Sequence, residues 1–288
     1  MIQALLHNSL PVAFLSRLQR SSTIGWFFGF SLLMLTSFSL PAQMSVSALQ
    51  SESSIASEPV TTLLTASQVR SRTHIVAVVN LAAYSIVMAG FNSMWYSKYG
   101  RSKFHVFNDD AEWLQVDKVG HLYGSYVVSR LGQEAWRWSG ISRNKRIWYS
   151  GLGGVVFQTM VEISDGFSTQ WGWSWSDFGA NLLGSGIFVA QEFAWDDQRI
   201  KIKFSCHKNY YDEPGLNIRA DKIYGESNSE RFIKDYNAQT YWASVNLKSF
   251  LPRSNLPAWL SMAVGYGADG MFGANKNIGK DREGNIIF

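Results

Sequence analysis

Four long stretches between residues 73 and 195, three of them poor in charge, limit what this chain can fold into. They are 73–91 (THIVAVVNLAAYSIVMAGF), 115–138, 146–163 and 176–195, and each is long enough for several helical turns. The first is nearly free of charge, and its length suits either a bilayer span or a buried bundle position. Short connections make sequential helices antiparallel neighbours. The expected fold class is therefore mainly α, a four-helix core over about 73–195. Small residues recur at helical spacing: Gly120, Gly124 and Ser125, then Gly151, Gly153 and Gly154, then Ala180, Gly184 and Gly186. Such stripes let helix backbones approach closely.

After Asp196 and Asp197 the pattern changes. In RIKIKFS the residues Ile200, Ile202 and Phe204 alternate with Arg199, Lys201 and Lys203, which is strand periodicity. QTYWASVNLKSF alternates as well, with Tyr241, Ala243, Val245 and Leu247 on one side. AWLSMAVGYG reads as a further strand. Residues 196–288 are expected to form a β-leaning C-terminal extension, either a small sheet or a lipid-facing β-structure.

The segment before the helices reads differently. Arg17 and Arg20 precede an apolar run from Ile24 to Leu40, with small residues at Ala42 and Ala48. Residues 1–48 thus resemble an export signal or an N-terminal anchor. Residues 49–72 are rich in Ser, Thr and Ala and read as a flexible linker. Composition agrees with export to a bacterial cell envelope: 17% of residues are charged and 15% aromatic, including 12 Trp. A mean hydropathy of -0.08 argues against a chain that is mostly transmembrane. The net charge of +4 includes Arg17 and Arg20, and no basic stripe is interleaved with aromatics, so no nucleic-acid partner is expected. Membrane or envelope lipids are the expected partners. The single Cys206 cannot form an internal disulfide.

The candidate site is a set of polar residues at the helix ends. Asp117 and His121 are four apart and share a face near the start of the second helix. Glu162 and Asp165 close the third, and Asp177 and Asn181 open the fourth. In an antiparallel bundle these three ends meet. Carboxylates with one imidazole can hold a divalent metal or act as an acid–base pair. The assignment is His121, Glu162 and Asp165 as catalytic groups, Asp117 and Asp177 as metal ligands, and Asn181 and Lys118 as parts of the polar pocket. A blander reading makes Asp177 a helix cap, with Ser176 as N-cap, and Asp117 with Lys118 a surface pair. Asp109 and Asp110 read as caps of a short helix. No HExxH and no nucleophile elbow is present.

Three groups of residues carry a resemblance. DKVGH from Asp117 to His121, then Glu162, Asp165 and Gly166, then Ser176, Asp177, Ala180, Asn181 and Gly184, resemble the YfiM-like family of predicted periplasmic lipoproteins. They are more distantly similar to the VanZ-like membrane proteins. The resemblance covers about residues 74–195, and the segments from Lys234 and Trp259 resemble longer family members, so the expectation is a truncated product. It implies an envelope location and a polar cluster rather than a reaction; the VanZ-like relatives are linked to glycopeptide-antibiotic tolerance. No cysteine follows the export segment, which departs from the lipoprotein pattern. The functional expectation is a non-catalytic structural or envelope-maintenance role. The alternative is a membrane-associated, metal-assisted hydrolase of a lipid or phosphorylated glycan.

Overall fold

The computed structural model describes residues 64–275. The expected export segment and most of the linker lie outside the described residues, as do 276–288. The last part of the expected linker is helical instead. Thr65 and Gln68 form a reciprocal capping box, the Gln68 side chain accepting from Thr65 N at 2.8 Å and Thr65 Oγ1 from Gln68 N at 3.3 Å. Helix α1 therefore begins at Ala66 and runs to Met94.

Helix α2 spans Val116–Ser139 and stops at Gly140, whose φ of 80° is the left-handed value a helix C-terminus favours. Helix α3 spans Arg143–Gly166 and α4 spans Trp175–Trp195. The N-cap of α4 is Ser174, two residues before the expected Ser176: its Oγ accepts from Asp177 N at 3.1 Å. Helices α2, α3 and α4 pack tightly, and α1 lies against α2, where Arg72 donates to Trp138 O at 3.2 Å, and touches α3 where the Tyr84 ring meets Phe157 at 5.1 Å.

Close approach rests on particular glycines. A Cβ on Gly184 would collide with the Leu122 carbonyl oxygen, and one on Gly154 with Ser129 and the Ser125 carbonyl. Gly120, half of the expected helix-packing pair, faces the Tyr241 hydroxyl of a strand instead. Gly186 meets nothing within 4 Å.

The C-terminal region is a three-stranded antiparallel sheet in the order β1 (Ile200–Cys206), β2 (Gln239–Asn246), β3 (Ser261–Gly267). Phe204 pairs with Tyr241, and Tyr241 with Tyr266, which puts the expected apolar positions on one face. That face packs on α2, where Tyr123 stacks on Phe204 at 5.6 Å. Leu247 leaves the strand pattern and opens a short helix, α7 (Leu247–Phe250), capped by Asn246. Between β1 and β2 lie two helices that the alternation gave no reason to expect, α5 (Pro214–Tyr224) and α6 (Asn228–Lys234). Buried Asn237 joins this insertion to the end of the described chain, donating to Met271 O at 2.9 Å and accepting from Met271 N at 2.8 Å.

Candidate metal centre

The start of α2, the end of α3 and the start of α4 meet at one end of the bundle. The Trp-rich turn between α3 and α4 is held there by the connector after α1. His105 N donates to Gly166 O, Trp173 N to His105 O and Phe107 N to Trp173 O, each at 2.9–3.0 Å. Trp171 packs edge-on against Trp95 and Tyr99, at 5.6 and 5.0 Å. A cavity of about 100 Å³ opens beneath, lined by Asp109, Asp117, His121, Asp165, Asp177 and Tyr236 among others. At roughly 30 Å³ per water, that is room for about three waters or one partly hydrated ion.

The side chains form an ordered cluster. His121 bridges α2 and α4: its Nδ1 lies 3.2 Å from Asn181 Oδ1. An amide oxygen only accepts, so Nδ1 carries the hydrogen and Nε2 turns towards the carboxyl groups. Nε2 lies 3.4 Å from Glu162 Oε1 and 4.0 Å from Asp117 Oδ1. Glu162 is 1% exposed and accepts through Oε2 from Ser174 N at 3.2 Å. Tyr236, from the C-terminal region, donates its hydroxyl hydrogen to Asp117 Oδ1 at 2.5 Å.

Lys118 is buried, not half of a surface pair. Its Nζ lies 2.8 Å from Asp109 Oδ1 and 3.0 Å from Asp177 Oδ1, with Asp117 Oδ2 farther at 3.9 Å. Asp109 is no cap either: Ala111 stands at the N-cap of the 3₁₀ turn Glu112–Gln115, and Asp109 accepts from Ser174 Oγ at 2.7 Å. In that turn Trp113, Leu114 and Gln115 all have left-handed φ, of 49°, 47° and 64°. Such a run costs on the order of 1 kcal/mol per residue, and it sets the Trp113 ring 5.3 Å from Tyr236 at the cavity wall.

Three carboxyl groups (Asp109, Asp117, Asp177) thus surround one ammonium, Glu162 and Asp165 lie in the same cluster, and the five cannot all ionise together without another cation. Burial pushes Glu162 up to about 8, with the Asp165 and Asp177 carboxyls adding and His121 opposing. Burial also pushes Asp177 up to about 8, helped by Asp117. Asp165 is held well above the usual carboxylate range, chiefly by burial. Asp109 goes the other way: hydrogen bonds from Asp177, Lys118 and Ser174 outweigh its burial and hold it at about 2. Buried Asn181 Nδ2 has no hydrogen-bond partner among the described residues, and Glu162 Oε1 and Asp177 Oδ1 are met by His121 Nε2 at 3.4 Å and Lys118 Nζ at 3.0 Å without a well-aligned hydrogen bond.

One ligand atom each from Asp117, His121 and Asp177 lie within 4.8 Å of one another. Two donors at about 2.0–2.6 Å from one ion are at most roughly 4–5 Å apart, so these three can share an ion after small side-chain shifts. Their donor set, two carboxylates and an imidazole, suits a divalent transition metal.

The raised carboxyls give a pH prediction for the metal-free protein. Glu162 titrates near 4.5 unfolded and about 8 folded, so the folded state holds the extra proton between those values. Asp177 acts in the same direction. The contribution of these two groups is complete below their unfolded values and is lost as pH rises to about 8, so Tm should fall by some 5 °C or more between pH 5 and 8, while Asp109 acts oppositely only below about pH 4. Thermal melts across that range check this, and a flat profile rules it out.

Helix ends, buried carboxyl groups and an inward imidazole define a helical-bundle protein with a cluster able to coordinate a metal. The profile of DUF2279, a family described as predicted periplasmic lipoprotein, matches residues 105–191. The chain is similar to that family over this part, which is less than half its length and holds all seven residues expected from sequence. No curated protein and no solved structure matches. The match to an envelope family agrees with α1, whose segment Ala66–Lys98 is long and apolar enough to cross a membrane. Sequence reasoning missed Asp109 as a partner of Lys118, and it missed Tyr236 altogether. Asp109 sits within the matched stretch. Tyr236 lies far along the chain in a region with a different period, and nothing local marks it.

Proposed function

We propose that this is a divalent-metal-binding protein of the bacterial cell envelope, with Asp117, His121 and Asp177 as ligands. The convergence of those three donors carries the reading. Asn181 orients His121, Tyr236 orients Asp117, and Lys118 with Asp109 fixes the end of α2 against α4. Bound metal would replace the proton on Asp177, favour ionisation of nearby Glu162 and tie the starts of α2 and α4 together, which is an envelope-maintenance role at its simplest.

A second reading is metal-assisted hydrolysis of a phosphoester in a lipid or phosphorylated glycan. Asp165 favours it, since it lines the cavity and burial holds its proton well above the usual carboxylate range. Water oxygen bonds to phosphorus, one water proton passes to the Glu162 carboxylate, the ester P–O bond breaks, and the leaving oxygen takes the Asp165 proton. A divalent cation would supply the charge that polarises the phosphoryl oxygen.

The test is elemental analysis of the purified chain, with chelation and metal restoration, and turnover of a chromogenic phosphodiester and of a phospholipid. Stoichiometric metal with no turnover supports the binding reading and sinks hydrolysis. Metal-dependent turnover that Asp165→Asn lowers by about 100-fold or more supports hydrolysis. Absence of metal uptake sinks both.

A further inference from the structure

Beyond the N-terminal turns of α1, α3 and α4, charges are arranged oppositely to those of helices in water, whereas α2 exposes Arg130, Glu134 and Arg137. Helix α4 has two ionisable residues, Asp177 and Glu192, and both are buried. Beyond its first turn α3 has Glu162 and Asp165, both at the site. Helix α1 has no charged residue after Arg72. The space between α2, α3 and α4 is polar: Ser129 meets Ser185 at 3.1 Å, Ser150 donates to Gln133 at 3.2 Å, and Gln133 to Glu192 at 2.6 Å. The outer positions are apolar. Val78, Leu81, Leu152, Val156, Leu182 and Leu183 are each 48–66% exposed. A water-facing helix puts its charges outside, whereas a lipid-contacting bundle turns polar groups and small residues inward.

The other side of the molecule is different. Lys201 and Lys203 on β1 and Arg130 on α2 are exposed. β1 runs beside the middle of α2, with the Tyr126 hydroxyl 3.5 Å from Ile200 O. A bundle standing across a bilayer would carry both lysines to mid-depth, at several kcal/mol by a rough estimate. A bundle lying flat keeps them in water. Charge complementarity names the surface: Arg70, Arg72 and Lys145 gather at one end of the apolar face, where Arg72 donates to Trp138 O at 3.2 Å and Arg143 is already paired with Asp196 at 3.1 Å. Exposed Trp148 and Tyr149 stand beside them. Cations with aromatic rings suit an anionic headgroup layer.

We infer that the face formed by α1, α3 and α4 rests in one leaflet of an anionic phospholipid bilayer, with the helix axes in the membrane plane and the sheet turned to water. This does not depend on the cation site. In-plane helices immerse their apolar side by about 5–10 Å, which covers the outer half of each helix.

The test uses the full chain carrying Cys206→Ser, with one cysteine restored at a time as Leu183→Cys or Lys203→Cys and labelled with an environment-sensitive dye. On vesicles of phosphatidylethanolamine and phosphatidylglycerol, the dye at position 183 should shift to the blue, gain about twofold or more in emission and be quenched by spin-labelled acyl chains. The dye at position 203 should not respond. No response at 183 overturns the inference, and quenching at both positions overturns the in-plane arrangement in favour of a span. A shift at 183 without vesicles that grows with protein concentration also overturns it, since a second copy then covers the face.

Discussion

Asp117→Asn, His121→Ala and Asp177→Asn will each weaken divalent-metal binding by at least about 100-fold, because loss of an outer partner alone costs 10–100-fold at such sites. Titration calorimetry with Mn²⁺ and Zn²⁺ measures this directly. Asp177→Asn is the most informative of the three. The Asp177 carboxyl holds its proton up to about pH 8, so a neutral amide of the same shape replaces what the metal-free protein already contains at pH 7. Its metal-free Tm should therefore change little at pH 7, and the loss of stability towards pH 8 should become smaller. A purely structural cluster predicts the reverse: no metal uptake by the parent protein and a sharp fall in Tm for Asp177→Asn at pH 7. That result would remove the metal reading.

Gly184→Ala will lower Tm by roughly 6–12 °C, corresponding to about 3 kcal/mol of overpacking. The added methyl meets the Leu122 carbonyl oxygen and Ser125 Oγ, and a backbone carbonyl inside a helix cannot turn away. Relief requires α2 and α4 to separate, which also lengthens the His121–Asn181 contact at the site. Gly186→Ala is the matched control, two residues on and with nothing within 4 Å. There alanine gains about 1 kcal/mol of helix propensity, and Tm should rise slightly. Equal melting temperatures for the two variants would show that α2 and α4 do not meet as closely as described.

The bundle was legible because its charges sit at helix ends and its interiors run apolar or small for whole turns. What escaped has specific causes. The start of α1 was hidden by the Ser/Thr-rich composition around it, although Thr65 and Gln68 stand at capping-box spacing. Ser174 and Ser176 are equivalent by eye, and only the geometry of the Trp-rich turn selects the first. Asp117, His121, Glu162, Asp165, Asp177 and Asn181 could be gathered from antiparallel topology alone. Lys118 was assigned to the polar pocket, with a surface pair as the alternative because a lysine beside an aspartate usually lies there; its burial depends on Asp109 arriving from the preceding connector. Helices α5 and α6 are short, and tertiary packing of Tyr224 and Phe272 supports them more than any periodic signal.

The hydroxyl of Tyr236 reaches Asp117 across a sequence separation of 119 residues. The bundle can fold from its local contacts before that tyrosine docks, since long-range pairings form last. Until then Asp117 lacks its donor and the cavity lacks one wall. A chain stopped short of residue 236 should thus form helices normally and still load metal poorly, so that occupancy of the site marks a finished polypeptide.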